Sequence, residues 1–228
     1  VEVLETVGYQ VIVPQQALCC GRPLYDYGFL QQARVFLQEI IGALRSEIRA
    51  GVPVVGLEPS CVSVFRDELK NMFPQDEDAR RLNQQTLTLG EFLERYAADF
   101  AWPPLQRKAL VHGHCHHKSI LGMDAEKKLL SKLGMDTQWP ETGCCGLAGA
   151  FGYEADKYAI SLACGERVLL PAVRSVDEHT LIITEGFSCR SQIQQETSRT
   201  PLHLAQVLQM ALRQSPAGPQ IDPPETAV

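Results

Sequence analysis

The sequence has no CxxC pair, no long apolar run and no excess of basic residues. Without CxxC it lacks the usual zinc knuckles and the ferredoxin run C-x2-C-x2-C-x3-C-P. No apolar run approaches the roughly 18 residues of a membrane span, and no signal-peptide pattern is visible. The net charge of −6 argues against a nucleic-acid-binding surface. Because the 228 residues lack an initiator Met, we expect a piece of a longer polypeptide.

Cysteine is the residue type that the sequence does have in an informative pattern. Eight cysteines are too few for a disulfide scaffold in a chain of this length, and without a signal peptide we expect a reducing compartment. In such compartments clustered thiols bind metal or do redox chemistry. Cys164, in the helical stretch SLACGERVLL, is expected to be a free, buried thiol. The other seven fall into two groups: Cys19, Cys20 and Cys61, and Cys115, Cys144, Cys145 and Cys189.

Two adjacent cysteine pairs, Cys19-Cys20 and Cys144-Cys145, are each followed by glycine. Neighbouring Cα atoms lie about 3.8 Å apart, whereas disulfides need roughly 4.4–6.8 Å. The two members of a pair are therefore poor disulfide partners. In an irregular turn, however, both sulfurs can point at one inorganic centre, and the glycine lets the backbone approach it closely.

The surroundings of the two pairs repeat as well, which indicates a duplication. A cysteine after a short apolar run follows each pair: Cys61 lies 41 residues after Cys20, and Cys189 lies 44 residues after Cys145. The second repeat begins with an additional strand-like run, KALVHGHCHH, which leads into Cys115. The first repeat is seen without that opening strand.

Periodicity predicts an α/β fold of two tandem repeats, each a small parallel sheet flanked by helices. An amphipathic helix is expected over 29–50, and strands at 10–13, 53–57, 109–112 and 180–184. Functional groups gather at the carboxyl ends of parallel strands, so a metal site is expected there. The predicted organisation is a first, N-terminally incomplete repeat at 1–100, a linker at 101–107, a second repeat at 108–213 and a disordered, proline-rich tail at 214–228.

The second repeat offers four thiolates, from Cys115, Cys144, Cys145 and Cys189. Four thiolates suit an iron–sulfur cluster or a structural zinc ion. Wide spacing over several strand ends favours the cluster, and zinc remains the alternative. The first repeat offers three ligands, Cys19, Cys20 and Cys61. It holds a metal with a fourth ligand from elsewhere, or none.

Other polar residues lie near these cysteines in the sequence. Alternation along a strand would place His112, His114 and His116 on one side, and we expect at least one of them, His114 or His116 foremost, near the metal. Arg22, directly after the first Cys-Cys-Gly, could face an anionic substrate or pair with Asp26. No arrangement of Ser, His and Asp or of Cys and His typical of a catalytic nucleophile stands out, so no catalytic residue is predicted.

The stretches ALCCGRPLYDYG, VVGLEPSCVSVFRDEL, KALVHGHCHHK, TGCCGLAGAFGYE and EGFSCRSQI resemble the cysteine-rich CCG-domain family. That family includes the cysteine-rich part of heterodisulfide reductase and the iron–sulfur subunit of glycolate oxidase. The stretches look most like the C-terminal iron–sulfur part of bacterial FAD-linked oxidases of the D-lactate or glycolate dehydrogenase type. The fullest family pattern ends in CxxC, where this chain reads Gly186-Phe187-Ser188-Cys189. A four-cysteine [4Fe–4S] cluster is therefore expected rather than a five-cysteine double cluster.

The resemblance implies an oxidoreductase module in the cytoplasm, or at the inner face of the membrane through partners. It implies electron transfer from FAD, on a missing part or a flavin-containing partner, to a downstream acceptor. Neither nucleic acid nor a membrane span is expected. Two alternatives stay open: a zinc- or thiol-stabilised docking module without a redox role, and thiol–disulfide chemistry of the heterodisulfide reductase kind.

Overall fold

The computed structural model describes residues 1–214, in which helices alternate with short strands. The strands are β1 (Val54–Gly56), β2 (Thr86–Thr88), β3 (Lys108–Val111), β4 (Asp136–Gln138) and β5 (Leu181–Ile183). The helices of the first half are α1 (Glu2–Thr6), α2 (Arg22–Asp26), α3 (Leu30–Ala43), α4 (Arg45–Arg49), α5 (Pro59–Ser63), α6 (Leu69–Met72), α7 (Glu77–Gln85) and α8 (Leu89–Tyr96). Those of the second half are α9 (Asp124–Lys132), α10 (Tyr158–Glu166), α11 (Leu169–Ser175), α12 (Phe187–Glu196) and α13 (Leu204–Gln214). Two π-helical turns, Val64–Glu68 and His117–Leu121, and a 3-10 turn, Phe151–Tyr153, complete the elements.

The strands form two small parallel sheets, which confirms the predicted α/β class. β1 pairs with β2, and β3 lies between β4 and β5. In the larger sheet Ala109 is opposite both Thr137 and Leu181. Parallel neighbours require crossover connections, and here helices supply them. The carboxyl ends of β3, β4 and β5 therefore lie at one edge of the sheet. No described helix combines the length and the apolar character needed to cross a bilayer.

Three of the four predicted strands are confirmed, and the one at 10–13 is wrong. That segment has no strand structure, and Ile12 and Val13 are 63% and 66% exposed. Its counterpart in the second repeat is β4, which pairs with β3. Among the described residues the first repeat has no equivalent of β3, so 10–13 has no neighbour with which to pair.

The predicted helix over 29–50 divides at Leu44 into α3 and α4. Phe29 precedes α3 and is 53% exposed, so it does not begin the buried stripe as the periodicity suggested. The stripe that is buried starts at Ala33 and continues through Leu37 to Ile48. It packs on α6 and α7 and forms the core of the first repeat.

The largest apolar core combines residues from both halves of the chain. Val3 of α1, Phe92 of α8 and Leu208 of α13 belong to the same buried cluster as Val111 of β3. A separate core beneath Cys145 and Cys189 includes Leu110 and Leu170. The domain boundaries at 100 and 108 stay predictions, and the predicted tail lies outside the described residues except for Gln214.

Candidate metal centre

The four cysteines of the second repeat lie at the carboxyl edge of the larger sheet. Cys115 follows β3, and Cys144 and Cys145 lie in the loop after β4. Cys189 is in the first turn of α12, just past β5. Since these strands are parallel and adjacent, residues 74 positions apart in the sequence meet at one place.

The four thiols form one connected set. Cys144 hydrogen-bonds with Cys115 and with Cys145, and Cys145 does so with Cys189. These contacts raise the pKa of Cys115 and Cys145, whose protons are held by Cys144, and lower the pKa of Cys144 and Cys189, which accept protons from their neighbours. Cys145 and Cys189 are buried, whereas Cys115 and Cys144 are half-buried.

This donor set fits a thiolate-ligated metal group. Sulfur is the donor that iron–sulfur clusters and structural zinc share, and each requires the thiolate form. The backbone N–H of Gly146 donates a hydrogen bond to Cys144 Sγ at 3.3 Å, a contact that stabilises negative charge on sulfur. Replacing shared protons by metal would satisfy all four sulfurs at once.

The histidines after β3 line the same place, as the sequence predicted for His114 and His116. His114 is buried beside Cys189, and its charge lowers the pKa of both Cys189 and Cys144. Its ring lies 5.3 Å from that of the half-buried His116, whose pKa is lowered by burial. The close approach of His114 requires glycine at position 186, because a Cβ there would lie 2.4 Å from its ring.

The cysteines of the first repeat also meet, at a smaller site. Cys20 Sγ and Cys61 Sγ lie 2.8 Å apart, and Cys19 is exposed beside them. The contact lowers the pKa of Cys20 to about 7 and raises that of Cys61, on which the charges of Glu58 and Cys19 also act. The arrangement brings together the three sulfurs that the sequence grouped.

Arg22 pairs with acidic residues rather than facing outward. It is buried, and its guanidinium lies 2.6 Å from Glu68 and 3.2 Å from Asp26. It also donates to Ser63 Oγ at 2.9 Å. Of the two roles open from the sequence, the structure therefore shows the ion pair, which ties α2 to the π-helical turn Val64–Glu68.

Removing one partner of this buried pair is expected to destabilise the fold. In Glu68→Gln, Arg22 would keep only the more exposed Asp26, and the free energy of unfolding should fall by about 3 kcal/mol. Asp26→Asn is the matched control, because the Asp26 side chain is 42% exposed, and it should cost about 1 kcal/mol or less. Urea unfolding of both variants measures the difference. Equal losses would show that Glu68 has no special role.

The two cysteine-bearing loops lie on the same face of the molecule. Tyr27, after the first pair, hydrogen-bonds with Glu154, after the second. The backbone N–H of Phe187 donates to Glu58 Oε2 at 2.7 Å, which joins the loops that precede Cys189 and Cys61. The two sets of thiols therefore belong to one surface region, across which the repeats contact each other.

Sequence reasoning missed a buried polar group behind this region. His117 Nδ1 lies 2.9 Å from Glu185 Oε2, and His117 Nε2 lies 3.2 Å from Glu126 Oε1. Burial opposes the charged imidazolium, but the two carboxylates prevail and raise the pKa of His117 to about 10. Strand alternation passed over His117, because β3 ends at Val111 and the chain turns into a helix before His117. No sequence signal marked Glu126.

Several curated proteins are similar to this chain. One of them is the third-lettered subunit of anaerobic glycerol-3-phosphate dehydrogenase from Escherichia coli, which is 27% identical over 218 residues that cover 93% of this chain and 54% of that protein. Lactate utilization protein A of Bacillus velezensis is 32% identical over 66% of this chain and 65% of that protein. Lactate utilization protein A 2 of Bacillus cereus is 27% identical over 93% of this chain and 90% of that protein. The chain thus spans about half the length of the E. coli relative.

The match to a protein family follows the same cysteine pattern. Residues 1–66 and 111–194 match the cysteine-rich domain named CCG. The matched ranges contain both Cys-Cys-Gly loops and the cysteines after β1, β3 and β5. They cover more than half of the chain, in agreement with the resemblance noted in the sequence. The chain belongs to the cysteine-rich CCG-domain family.

Proposed function

We propose that this chain is the iron–sulfur electron-transfer module of an FAD-linked 2-hydroxy-acid dehydrogenase of the lactate or glycolate type. The convergence of Cys115, Cys144, Cys145 and Cys189 is the observation that supports this function. The flavin belongs to a part or partner outside this chain. The similar proteins support the general class, since one is named as a subunit of a dehydrogenase and others are named for lactate utilization.

Each residue of the site has a definable task in this function. A [4Fe–4S] cluster held by the four sulfurs would take up and release single electrons. Cys145 and Cys189 would supply the buried ligands, and their surroundings would exclude water. Cys115 and Cys144 would supply the ligands nearest the surface, where a redox partner can approach. The Gly146 N–H and the His114 ring beside the sulfurs are groups of the kind that tune a cluster's potential.

The four-thiol donor set favours a cluster over zinc for a physical reason. The sulfurs are contributed by three separate segments at a sheet edge, without the short CxxC loops that organise zinc knuckles. Cys20, Cys61 and Cys19 would form a second, three-sulfur site in the first repeat. We assign residues 1–100 and 108–213 to the two repeats, joined at 101–107.

Chemical analysis of anaerobically prepared protein tests the proposal. About four iron and four acid-labile sulfide per chain are expected, with a spin-resonance signal that appears on one-electron reduction. Zinc without sulfide would overturn the redox role and favour the docking module. A metal-free protein that reduces a mixed disulfide with an added electron donor would instead favour thiol–disulfide chemistry.

A further inference from the structure

A second group of metal-binding side chains lies behind the thiols, in the interior. His117, Glu126 and Glu185 come from the segment after β3, from α9 and from the end of β5. One ligand atom from each lies within 4.8 Å of the others. All three are buried, at 1%, 3% and 7% exposure. Buried carboxylates are rare unless they are paired or coordinate a metal.

The polar atoms of this group lack hydrogen-bond partners. Both His117 ring nitrogens, Glu126 Oε2 and Glu185 Oε2 are buried without one, as is Thr184 Oγ1 beside them. The 2.9 and 3.2 Å contacts of His117 bring opposite charges together but are not aligned as hydrogen bonds. Orphaned buried groups normally indicate an unseen ligand, ion or water.

These residues line one small enclosed cavity. Its volume is about 10 Å³, which is room for a single ion or water molecule. Val111, Ile183 and Leu204 form its apolar walls. The orphaned atoms therefore surround a space of the size that one metal ion occupies.

Charge also favours a divalent cation. Among the described residues, His117 is the sole basic group within 4 Å of either carboxylate. A protonated His117 would leave one of the two buried negative charges uncompensated, whereas a neutral His117 with a divalent ion leaves none. Thr88 Oγ1 donates to Glu126 Oε1 at 3.1 Å, the kind of outer contact that orients a ligating carboxylate.

From this geometry we infer that His117, Glu126 and Glu185 bind one divalent transition-metal ion, separate from the cysteine site. One imidazole and two carboxylates form the ligand set that Mn²⁺ and Fe²⁺ accept, and they differ from the soft thiolates of the neighbouring centre. The ion would tie the ends of β3 and β5 to α9, behind the loops that present Cys115 and Cys189. This inference does not depend on the proposed redox function.

Mn²⁺ is the probe, because it avoids thiolates and has a spin-resonance signal. Anaerobic titration of the full chain should show one bound Mn²⁺, and pulsed spin resonance should detect one histidine nitrogen coupled to it. The melting temperature should rise by about 5 °C at roughly 100 times Kd. A folded wild-type chain that binds no Mn²⁺, or binds it without nitrogen coupling, would overturn the inference.

Variants connect the binding to the three residues. Glu126→Gln and Glu185→Gln should each weaken Mn²⁺ binding at least about tenfold and abolish the rise in melting temperature. Glu94→Gln is the control, because Glu94 is a partly exposed carboxylate that pairs with Lys128 on the outside of α9. Unchanged Mn²⁺ binding by both folded test variants would refute the assignment. If neither variant folds, the wild-type nitrogen coupling decides.

Discussion

The Cys145→Ser variant is expected to lose most of its bound iron while keeping its overall fold. Cys145 occupies the middle of the thiol set, in contact with both Cys144 and Cys189. A serine oxygen is a harder and more basic ligand than a thiolate and suits iron–sulfur chemistry poorly. Because the site is buried, no solvent ligand can readily take the vacated position. The change in volume is small, so the core around it should persist.

Iron and acid-labile sulfide in the anaerobic variant measure this effect, with circular dichroism as the check on folding. Cys164→Ser is the control, because Cys164 lies on α10 and belongs to neither group of thiols. It should retain nearly all the iron. If Cys145→Ser kept its full iron and sulfide content, the four-cysteine site would not be where the cluster binds.

Cys20→Ser extends the comparison to the matching position of the first repeat. Cys20 contacts Cys61 alone among the hydrogen-bond partners described for it, and Cys19 beside it is exposed. If the second repeat alone holds the cluster, sulfide content should be unchanged in Cys20→Ser. A loss of about half would show that the three-sulfur site of the first repeat also holds a cluster.

The meeting of the four thiols was predictable because it depends on topology. Each of Cys115 and Cys189 follows an apolar run, and parallel strands present their carboxyl ends at one edge. The prediction needed no side-chain geometry. The duplication supplied a second line of inference, since Cys61 and Cys189 follow equivalent strands, β1 and β5.

The failures have a common physical cause, namely that pairing partners are not visible in a local pattern. The apolar run at 10–13 has the composition of a strand, but a strand also needs a neighbour. His117, Glu126 and Glu185 come together only through the packing of α9 on the sheet, and nothing in the sequence separates Glu126 from the exposed carboxylates of the same helix. Glu185 also matched Glu58 in the repeat, yet Glu58 caps α5 and Glu185 contacts His117.

The Gly146→Ala variant is expected to have the largest effect of any single methyl addition in the second repeat. Gly146 follows the cysteine pair with φ of +106°, a conformation that side chains rarely adopt. A Cβ at this position would lie 2.0 Å from the backbone oxygen of Ser161 in α10. Backbone cannot swing aside as a flexible side chain can, so the loop and α10 must separate.

That separation would disturb the thiols directly. The Gly146 N–H donates to Cys144 Sγ, and Gly165 of α10 lets the helix approach the Cys145 carbonyl, 2.9 Å from where its own Cβ would be. The free energy of unfolding should fall by about 3 kcal/mol or more, and iron binding should be largely lost.

Gly143→Ala separates steric clash from backbone strain. Gly143 also has positive φ, +64°, but nothing lies within 4 Å of its Cβ position. Its replacement should therefore cost only the strain, about 1 kcal/mol, and leave most of the iron in place. Urea unfolding and iron analysis of the two variants give the comparison. Equal effects would mean that the contact between the Cys-Cys-Gly loop and α10 does not hold the sulfurs in position, whereas a selective loss in Gly146→Ala would show that the third residue of the motif is required by the packing of the helix behind it.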